Sequence, residues 1–511
     1  MIRPTRLRRA LAMVAAAGAL VMTGCAVPSF LGGGGSARSE PTGERVAAEL
    51  EPFYTQVLEW ESCGEMQCAT AVAPLDWDAP ADGEIELALV RAPAGGDRIG
   101  SLLVNPGGPG ASGYDFIAES VDYAVGPDLR ERYDIVGFDP RGVGRSSAVQ
   151  CYEPAQMDAF LYGILPAERG SDEWIADVDA ANRDFGAACT QGTGELLANV
   201  DTESAARDLD LLRAILGDTQ LNYLGYSYGT FLGATYAELY PEKVGRLVLD
   251  GAIDPAASLH EVTVAQAIGF EQALRAYLAD CLAGPECPFS GSVDAAADEV
   301  ARLLASVEAS PLQGSDGRQL GADALVTAII YPLYSPESWT YLSDMFESVM
   351  FGEADTALFF ADGYNGRAED GTYRDNSTEA FRAINCLDYA YDADPASMRA
   401  DAAELAEAAP IIGPYFAFGD IGCAAWPVAS DAERAPITAD GADPILVVGT
   451  TGDPATPYEY AQALADQLAS GVLVTYDGEG HTAYRKSNAC VDDTVEAFLI
   501  DGTVPAADPQ C

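Results

Sequence analysis

The chain has 511 residues, of which 49% are hydrophobic and 21% charged, a balance that excludes a disordered, collagen-like or multi-span membrane protein. Its 79 acidic and 28 basic residues give a formal net charge of −51 at pH 7. A surface this acidic repels phosphate backbones and anionic lipid, which argues against nucleic-acid binding and against electrostatic docking on a membrane. Most of the charge therefore serves solubility, and a smaller share can attract cationic groups such as free amino termini.

Residues 1–24 have the pattern of a signal peptide. Four arginines lie within residues 1–9, the apolar run 10–22 is too short to cross about 30 Å of hydrocarbon, and Cys25 follows directly after a threonine and a glycine. Small residues before a cysteine resemble the lipobox of bacterial lipoproteins, so we expect a lipid on Cys25 and a flexible tether over 25–45. The predicted location is the outer face of the membrane, held only through that lipid. An ordinary signal peptide and a secreted protein are the alternative.

The ten cysteines that follow Cys25 predict five disulfides. An even number of cysteines in an exported chain is typical of a disulfide framework. Metal binding is the rival interpretation, but the chain has only two histidines and no CxxC pair, so no metal site and no cofactor are predicted. Sequence alone leaves the pairing open, and sequence neighbours are the simplest choice: Cys63–Cys68, Cys151–Cys189, Cys281–Cys287, Cys386–Cys423 and Cys490–Cys511.

From about residue 84, apolar runs of strand length alternate with helical patterns. This alternation predicts an α/β fold with a mostly parallel sheet covered by helices on both faces. The predicted strands are 85–91, 101–105, 134–139, 221–225, 246–250, 445–449 and 472–477, and the predicted helices are 202–216, one after Ser227, 458–470 and 491–500.

Residues 256–435 interrupt the alternation. They contain helical patterns near 263–283, 293–308, 338–350 and 397–408 and no series of strands. We interpret them as a large, mainly helical lid inserted into a core that comprises residues 46–255 and 436–511.

The sharpest chemical signal is Gly-x-Ser-x-Gly at 225–229, centred on Ser227. A predicted strand enters this motif and a predicted helix leaves it, which is the context of a nucleophile elbow. The turn exposes the serine at the carboxyl edge of the sheet and at a helix N-terminus, where developing negative charge is favoured.

A serine nucleophile needs a base, and the chain offers only His260 and His481. His481 follows the last predicted strand in a glycine-rich loop, which is where this fold places its base, whereas His260 is expected to be a lid or surface histidine. The acid should follow the preceding strand. Asp453 does so, 28 residues before His481, and would orient the imidazole. Asp250, at the end of an earlier strand, is the alternative acid.

The oxyanion of the tetrahedral intermediate needs two convergent backbone N–H groups. The glycine-rich segment 105–110 directly follows a predicted strand and lies upstream of the elbow. We expect Gly108, with Gly107 as a further possibility, to provide one donor. Tyr228, the residue after the nucleophile, should provide the other.

Five segments together resemble one known family. They are Asn-Pro-Gly-Gly-Pro-Gly at 105–110, Asp-Pro-Arg-Gly-Val-Gly-Arg-Ser at 139–146, the elbow at 225–229, Gly-Asp-Pro at 452–454 and Gly-His at 480–481. In this order they resemble the α/β-hydrolase peptidases of the prolyl-aminopeptidase family. The narrower likeness is to exported actinobacterial tripeptidyl aminopeptidases and the related mycobacterial cell-envelope serine protease and carboxylesterase. The first segment begins with Asn-Pro rather than histidine, as in the tripeptidyl branch, which argues against proline-specific monopeptidase activity.

The resemblance implies an exported serine aminopeptidase that releases short peptides, with tripeptides as the expected product, from peptide or protein substrates with free N-termini. It also implies that carboxylates of the lid pair with the substrate ammonium, and Asp388 in the segment 383–388 is the candidate. A purely structural carboxylate near the Cys386 disulfide is the alternative for Asp388. Two other functions stay open: a carboxylesterase or lipase that uses the same three residues, and a non-catalytic envelope binding protein.

Overall fold

The computed structural model describes residues 37–430 and 432–511. The predicted signal peptide, Cys25 and the glycine-rich part of the tether therefore lie outside the described residues. Among the residues described, no helix has both the length and the apolar character needed to cross a membrane.

The strands and helices follow one another in the order expected for a sheet with helical connections. The strands are β1 (Ala37–Arg38), β2 (Glu59–Cys63), β3 (Met66–Pro74), β4 (Glu84–Ala92), β5 (Gly100–Asn105), β6 (Tyr133–Phe138), β7 (Leu221–Tyr226), β8 (Val244–Asp250), β9 (Leu312–Gln313), β10 (Gln319–Leu320), β11 (Ile445–Gly452) and β12 (Gly471–Glu479). The helices are α1 (Glu51–Tyr54), α2 (Gly113–Ala124), α3 (Pro127–Arg132), α4 (Pro154–Tyr162), α5 (Asp172–Thr193), α6 (Thr202–Leu216), α7 (Tyr228–Leu239), α8 (Leu259–Ala283), α9 (Val293–Ala309), α10 (Ala322–Leu333), α11 (Trp339–Met350), α12 (Asp355–Tyr364), α13 (Ser377–Asp388), α14 (Pro395–Ala408), α15 (Gly413–Phe416), α16 (Asp420–Ala424), α17 (Tyr458–Gln467) and α18 (Ala489–Asp501).

One sheet organises the molecule. Its strand order is β1-β2-β3-β4-β6-β5-β7-β8-β11-β12. In this order, the six strands β6, β5, β7, β8, β11 and β12 pair in parallel. Strands β1 to β4 pair antiparallel, and β4 joins β6 antiparallel. The α/β fold class predicted from the sequence is confirmed, and the topology is that of an α/β-hydrolase extended by an antiparallel edge.

Helices cover both faces of the sheet because successive side chains of a strand point to opposite sides. In β8, Leu247 and Leu249 join one hydrophobic cluster with residues of α6, α7 and α17, while Val248 joins a second cluster with residues of α2, α3 and α18. Helix α6 shows why these segments are helical: the Asp201 side chain caps its first turn by accepting the Ser204 N–H, and Gly217 ends it in a left-handed conformation.

The described part of the segment between β8 and β11 is built mainly of helices, with one short hairpin, β9–β10. Helices α8 to α12 pack around a hydrophobic cluster of their own that includes Leu274, Leu325 and Phe346. A second helical excursion, α4 and α5, follows β6 and was not predicted. The cysteines of the described residues form the five neighbour pairs predicted from the sequence.

The prediction of a tether that extends to residue 45 is wrong from Ala37 onward. Strand β1 pairs with β2, and the Ser39 hydroxyl accepts the Leu58 N–H. The Glu44 carboxylate binds the buried guanidinium of Arg213. These contacts fix residues 37–45 against the core, since a hydrogen-bonded strand and an ion pair both restrict the chain.

Candidate active site

Ser227 lies in a sharp turn between β7 and α7. Its backbone has φ 55° and ψ −124°, a conformation that non-glycine residues rarely adopt. A Cβ on Gly225 would overlap the carbonyl oxygen of Gly229, and a Cβ on Gly229 would lie 2.8 Å from the Asn105 side chain. The two glycines therefore allow the strand and the helix to approach closely around the partly exposed serine.

His481 and Asp453 form a close pair at the carboxyl ends of β12 and β11. His481 Nδ1 lies 2.9 Å from both carboxylate oxygens of Asp453. Both side chains are buried, at 8% and 4% exposure. The backbone N–H of His481 donates to the Tyr334 carbonyl, and the Tyr334 ring packs edge-on against the imidazole with 5.3 Å between ring centroids. The contacts with Asp453 and the Tyr334 ring fix the plane of the imidazole, and Nε2 takes no part in them.

The Asp453 carboxylate is held in its ionised form. It accepts the backbone N–H groups of Ala455, Thr456 and Thr482. Burial would raise the pKa of Asp453, but the charge and hydrogen bond of His481 and the backbone donors outweigh it and lower the pKa below its ordinary value. An ionised carboxylate at this position can orient His481 and stabilise its protonated form.

Asp250, the alternative acid, has a different set of contacts. Its carboxylate accepts the N–H groups of Ala483 and Tyr484, and its carbonyl accepts the Ser227 N–H. Among the described residues it makes no hydrogen bond to His481. Burial raises the pKa of Asp250 to about 6 against the lowering effect of the two N–H donors. Asp250 thus joins the serine turn to the loop that carries His481.

The His481 ring and the backbone of Ser227 both lie close to the turn after β8. A Cβ on Gly251 would come within 3.3 Å of His481 Cε1, while the preceding residue holds the Ser227 N–H. Within the described part of the chain neither the Ser227 hydroxyl nor His481 Nε2 has a hydrogen-bond partner. Such bonds are often long in free enzymes and tighten when substrate binds.

The backbone of the glycine-rich segment lies against the serine. A Cβ on Gly107 would come 2.8 Å from Ser227 Cβ and 3.2 Å from the Tyr228 nitrogen. The Gly107 N–H donates to the Asn105 side chain at 2.9 Å, so it is occupied. In the described residues, the N–H groups of Gly108 and Tyr228 donate to no protein acceptor. Of the two glycines considered from the sequence, the structure therefore leaves Gly108 available.

A cavity of about 290 Å³ opens beside these donors and is lined by Gly108 and Tyr228. Its wall comes from α7, α8, α13 and α14 and the segment around α16, and much of it is apolar, including Phe231 and Phe381. The inserted helices thus form a roof over the carboxyl edge of the sheet, where ligands bind in open α/β sheets.

Asp388 lines this cavity and is 7% exposed. One oxygen accepts the Thr202 N–H at 2.9 Å and the other the Thr202 hydroxyl at 2.6 Å, so Asp388 also caps α6. The Thr202 hydroxyl in turn bonds the Tyr228 hydroxyl. Burial raises the pKa of Asp388 to about 7, although the hydrogen bonds from Thr202 lower it. The structural role considered for this residue is present, and two accepted hydrogen bonds do not use all the lone pairs of the carboxylate.

His260 lies on α8, in the segment between β8 and β11, and lines the cavity. One ligand atom each from His260, Asp401 and Glu404 could hold a metal ion, because the three atoms lie within 4.8 Å of one another. No other cluster of this kind occurs among the described residues. The three side chains are partly or fully exposed and make no contact with His481 or Asp453 in the described structure.

Two contact residues were not assigned a role at the site from the sequence. Asn105 occupies the Gly107 N–H, and Thr202 connects Tyr228 with Asp388. Asn105 belonged to a recognised segment, whereas Thr202 is an ordinary first residue of a helix and had no local signal.

Comparisons with known proteins identify the family of this chain. The family described as TAP-like protein matches residues 409–511. The chain is 38% identical over 493 residues to Serine protease Hip1 of Mycobacterium tuberculosis, covering 91% of this chain and 93% of the relative. It is 38% identical over 477 residues to Carboxylesterase B of the same species, covering 90% and 91%.

A third relative is Tripeptidyl aminopeptidase of Streptomyces lividans, with 30% identity over 473 residues that cover 89% of this chain and 86% of the relative. Each of these alignments spans both the sheet and the inserted helices. The chain therefore belongs to the TAP-like family of serine peptidases with the α/β-hydrolase fold.

Proposed function

We propose that this protein is a serine aminopeptidase in which Ser227 is the nucleophile, His481 the general base and Asp453 the residue that orients the base. The observation that carries the proposal is the buried Asp453–His481 pair, with Nδ1 2.9 Å from the carboxylate, beside a serine in a strained turn. Few purely structural needs would combine a positive-φ serine with an oriented imidazole across a sheet edge.

The reaction is acyl transfer. Ser227 Oγ attacks the scissile carbonyl carbon while His481 Nε2 accepts the hydroxyl proton, and the oxyanion binds the N–H groups of Gly108 and Tyr228. His481 then gives the proton to the leaving amine as the C–N bond breaks. Water, deprotonated by the same imidazole, hydrolyses the acyl-enzyme and restores the serine.

The proposed substrate is a peptide or protein with a free N-terminus, and the proposed product is a short peptide, a tripeptide in the simplest case. A cavity of about 290 Å³ suits a short peptide segment rather than a continuous chain. Asp388 is the proposed partner of the substrate ammonium because it lines this cavity with free lone pairs. The relative named Tripeptidyl aminopeptidase supports the choice of a tripeptide as the product.

We also propose that the protein is exported, with a lipid on Cys25 as its attachment to the membrane or, if that cysteine is not modified, as a secreted protein. Five disulfides support an oxidising compartment.

A carboxylesterase is the second candidate. The relative named Carboxylesterase B and the apolar part of the cavity wall favour it. The same three residues would serve, but the acyl group would contact Phe231 and Phe381 rather than Asp388.

The test compares three substrates: a tripeptidyl p-nitroanilide with a free amino terminus, its N-acetylated form and a short p-nitrophenyl ester. We expect turnover of the free peptide, little of the acetylated one, and loss of activity in Ser227→Ala. Ester turnover without peptide turnover would establish the carboxylesterase instead. Full activity of Ser227→Ala would refute the assignment of the nucleophile.

Asp388→Asn separates the amine-binding role from the helix cap. We expect a raised KM for the free peptide and an unchanged KM for the ester, which has no ammonium. An equal change of KM for both substrates would show that Asp388 only supports α6.

A further inference from the structure

Arg382 lies in the cavity wall, and its guanidinium has no carboxylate partner among the described residues. It lies on α13 and lines the cavity. Within the described residues no carboxylate oxygen lies within 4.0 Å of it, although the chain has 79 acidic residues against 28 basic ones. The two fully buried arginines of the described residues have such partners: Arg141 binds Asp208, and Arg213 binds Asp210. Arg434, which is partly buried like Arg382, has none among the described residues, but it does not line this cavity.

Neutral groups from three segments hold this guanidinium in place. Nη1 donates to the Asn182 side chain on α5 at 2.8 Å, and the Phe160 ring of α4 lies 5.6 Å away. A Cβ on Gly422 of α16 would overlap Nη1, so only glycine leaves room for the guanidinium there. The disulfide Cys386–Cys423 joins α13 to α16 next to it. The position of Arg382 is therefore fixed, while its charge is not neutralised.

An uncompensated cation in a partly buried site is costly, because it loses water without gaining an opposite charge. Burial lowers the pKa of Arg382 to about 10, which still leaves the group charged at neutral pH. The guanidinium fork fits a carboxylate with two parallel hydrogen bonds. A ligand carboxylate would remove the cost and use donors that the protein leaves free.

We infer that Arg382 binds an acidic side chain of the substrate and makes the enzyme selective for peptides with Glu or Asp in the segment that it releases. This inference rests on the proposed function, since it requires a peptide in the cavity. Arg382 and Asp388 lie six positions apart on α13, about 9 Å along its axis. An extended tripeptide spans about 10 Å, so one peptide can place its amine at Asp388 and a carboxylate at Arg382.

The experiment measures kcat/KM for tripeptidyl p-nitroanilides that carry Glu or its neutral isostere Gln at each of the three positions in turn. For the unmodified protein we expect a Glu-to-Gln ratio of about tenfold or more at one position. Arg382→Gln should bring that ratio close to one. Arg183→Gln, the same change at an exposed arginine of α5 that pairs with Asp179, should leave the ratio at the wild-type value.

The ratio compares two substrates on one protein, so a general loss of activity does not affect it. If Arg382→Gln does not fold, Gly422→Ala gives a second test, because the new methyl group displaces the guanidinium and should lower the same ratio. A ratio near one at all three positions in the unmodified protein, with the peptides cleaved, overturns the selectivity and leaves the proposed function intact. A Glu-to-Gln ratio that stays at the wild-type value in Arg382→Gln overturns the assignment of the selectivity to Arg382. If none of the peptides is cleaved, the proposed function fails and this inference fails with it.

Discussion

Two buried carboxylates lie near His481, and their environments shift their pKa values in opposite directions. Asp453 contacts the imidazole, and its pKa is lowered in spite of burial. Among the described residues, the Asp250 carboxylate accepts hydrogen bonds only from backbone N–H groups that follow the histidine, and burial raises its pKa to about 6. The difference comes from the partner and not from burial, since both side chains are almost inaccessible. At the residue scale, contact with His481 is what distinguishes the two.

Replacing each carboxylate by its amide separates their roles. Asp453→Asn removes the charge that orients and stabilises the His481 imidazolium, so we expect kcat to fall by about 10³ to 10⁴. Asp250→Asn keeps one acceptor for the Ala483 and Tyr484 N–H groups, so its main effect should be a loss of about 1–3 kcal/mol in the free energy of unfolding. Kinetics on the free tripeptide substrate and urea unfolding give the two readouts. Equal losses of kcat would mean that the two carboxylates were assigned wrongly.

Sequence motifs predicted the residues around Ser227 better than those of the cavity wall. The turn at Ser227 is encoded by neighbours two positions away, and Asp453 and His481 each follow a strand that is visible as an apolar run. Arg382 has no such signal. Its contacts Asn182 and Gly422 are 200 and 40 positions away, so only the folded chain shows that no acid of the described residues pairs with it.

At the scale of elements, α13 provides much of the cavity wall. It carries both Asp388 and Arg382, and its N-terminal turn packs on Gly110 of the glycine-rich segment. The disulfide Cys386–Cys423 connects it to α16, which also lines the cavity. The orientation of this one helix therefore determines where the charged groups of the cavity lie.

Removing that disulfide should destabilise the protein more than removing a local one. Cys386–Cys423 closes a separation of 37 residues and Cys63–Cys68 one of 5. From the entropy of the closed loops we expect losses of about 4 and about 2 kcal/mol in the free energy of unfolding for the paired alanine variants. Urea unfolding under oxidising conditions measures both. Equal losses would indicate that loop length does not control the contribution of these crosslinks.

The elements of the parallel sheet were predictable, and those outside it were less so. Strands β5 to β8 are buried apolar runs between turn residues, a pattern that tertiary contacts rarely override. Strand β2, next to the short edge strand β1, reads Glu-Trp-Glu-Ser-Cys and is mostly exposed, so its sequence carries little hydrophobic signal. It is a strand because β3 pairs with it, which is a contact between segments and not a local property.

For the whole molecule, charge couples stability to pH. A net charge of −51 destabilises the compact state through self-repulsion, which grows as carboxylates ionise. Burial also raises the pKa of several internal carboxylates, among them Asp250, to about 6, and Glu379 and Asp388, to about 7. A carboxylate whose pKa is raised in the folded state makes its full contribution to stability below its ordinary pKa near 4. This contribution is lost as pH rises to about 7. The lowered pKa of Asp453 has the opposite effect, because its contribution to stability is lost as pH falls, at values below this window.

Glu379→Gln tests this coupling with a neutral side chain of the same shape. Glu379 is buried at 8% exposure at the start of α13, and burial is the main cause of its raised pKa. Relative to the unmodified protein, the variant should gain about 2 kcal/mol more in the free energy of unfolding at pH 8 than at pH 5. The measurement is urea unfolding in 1 M NaCl, which screens the surface charges but not the buried one. Glu347→Gln, at an exposed position of α11, is the matched control and should gain equally at both pH values. If the two variants respond alike, surface repulsion rather than buried carboxylates controls the pH dependence.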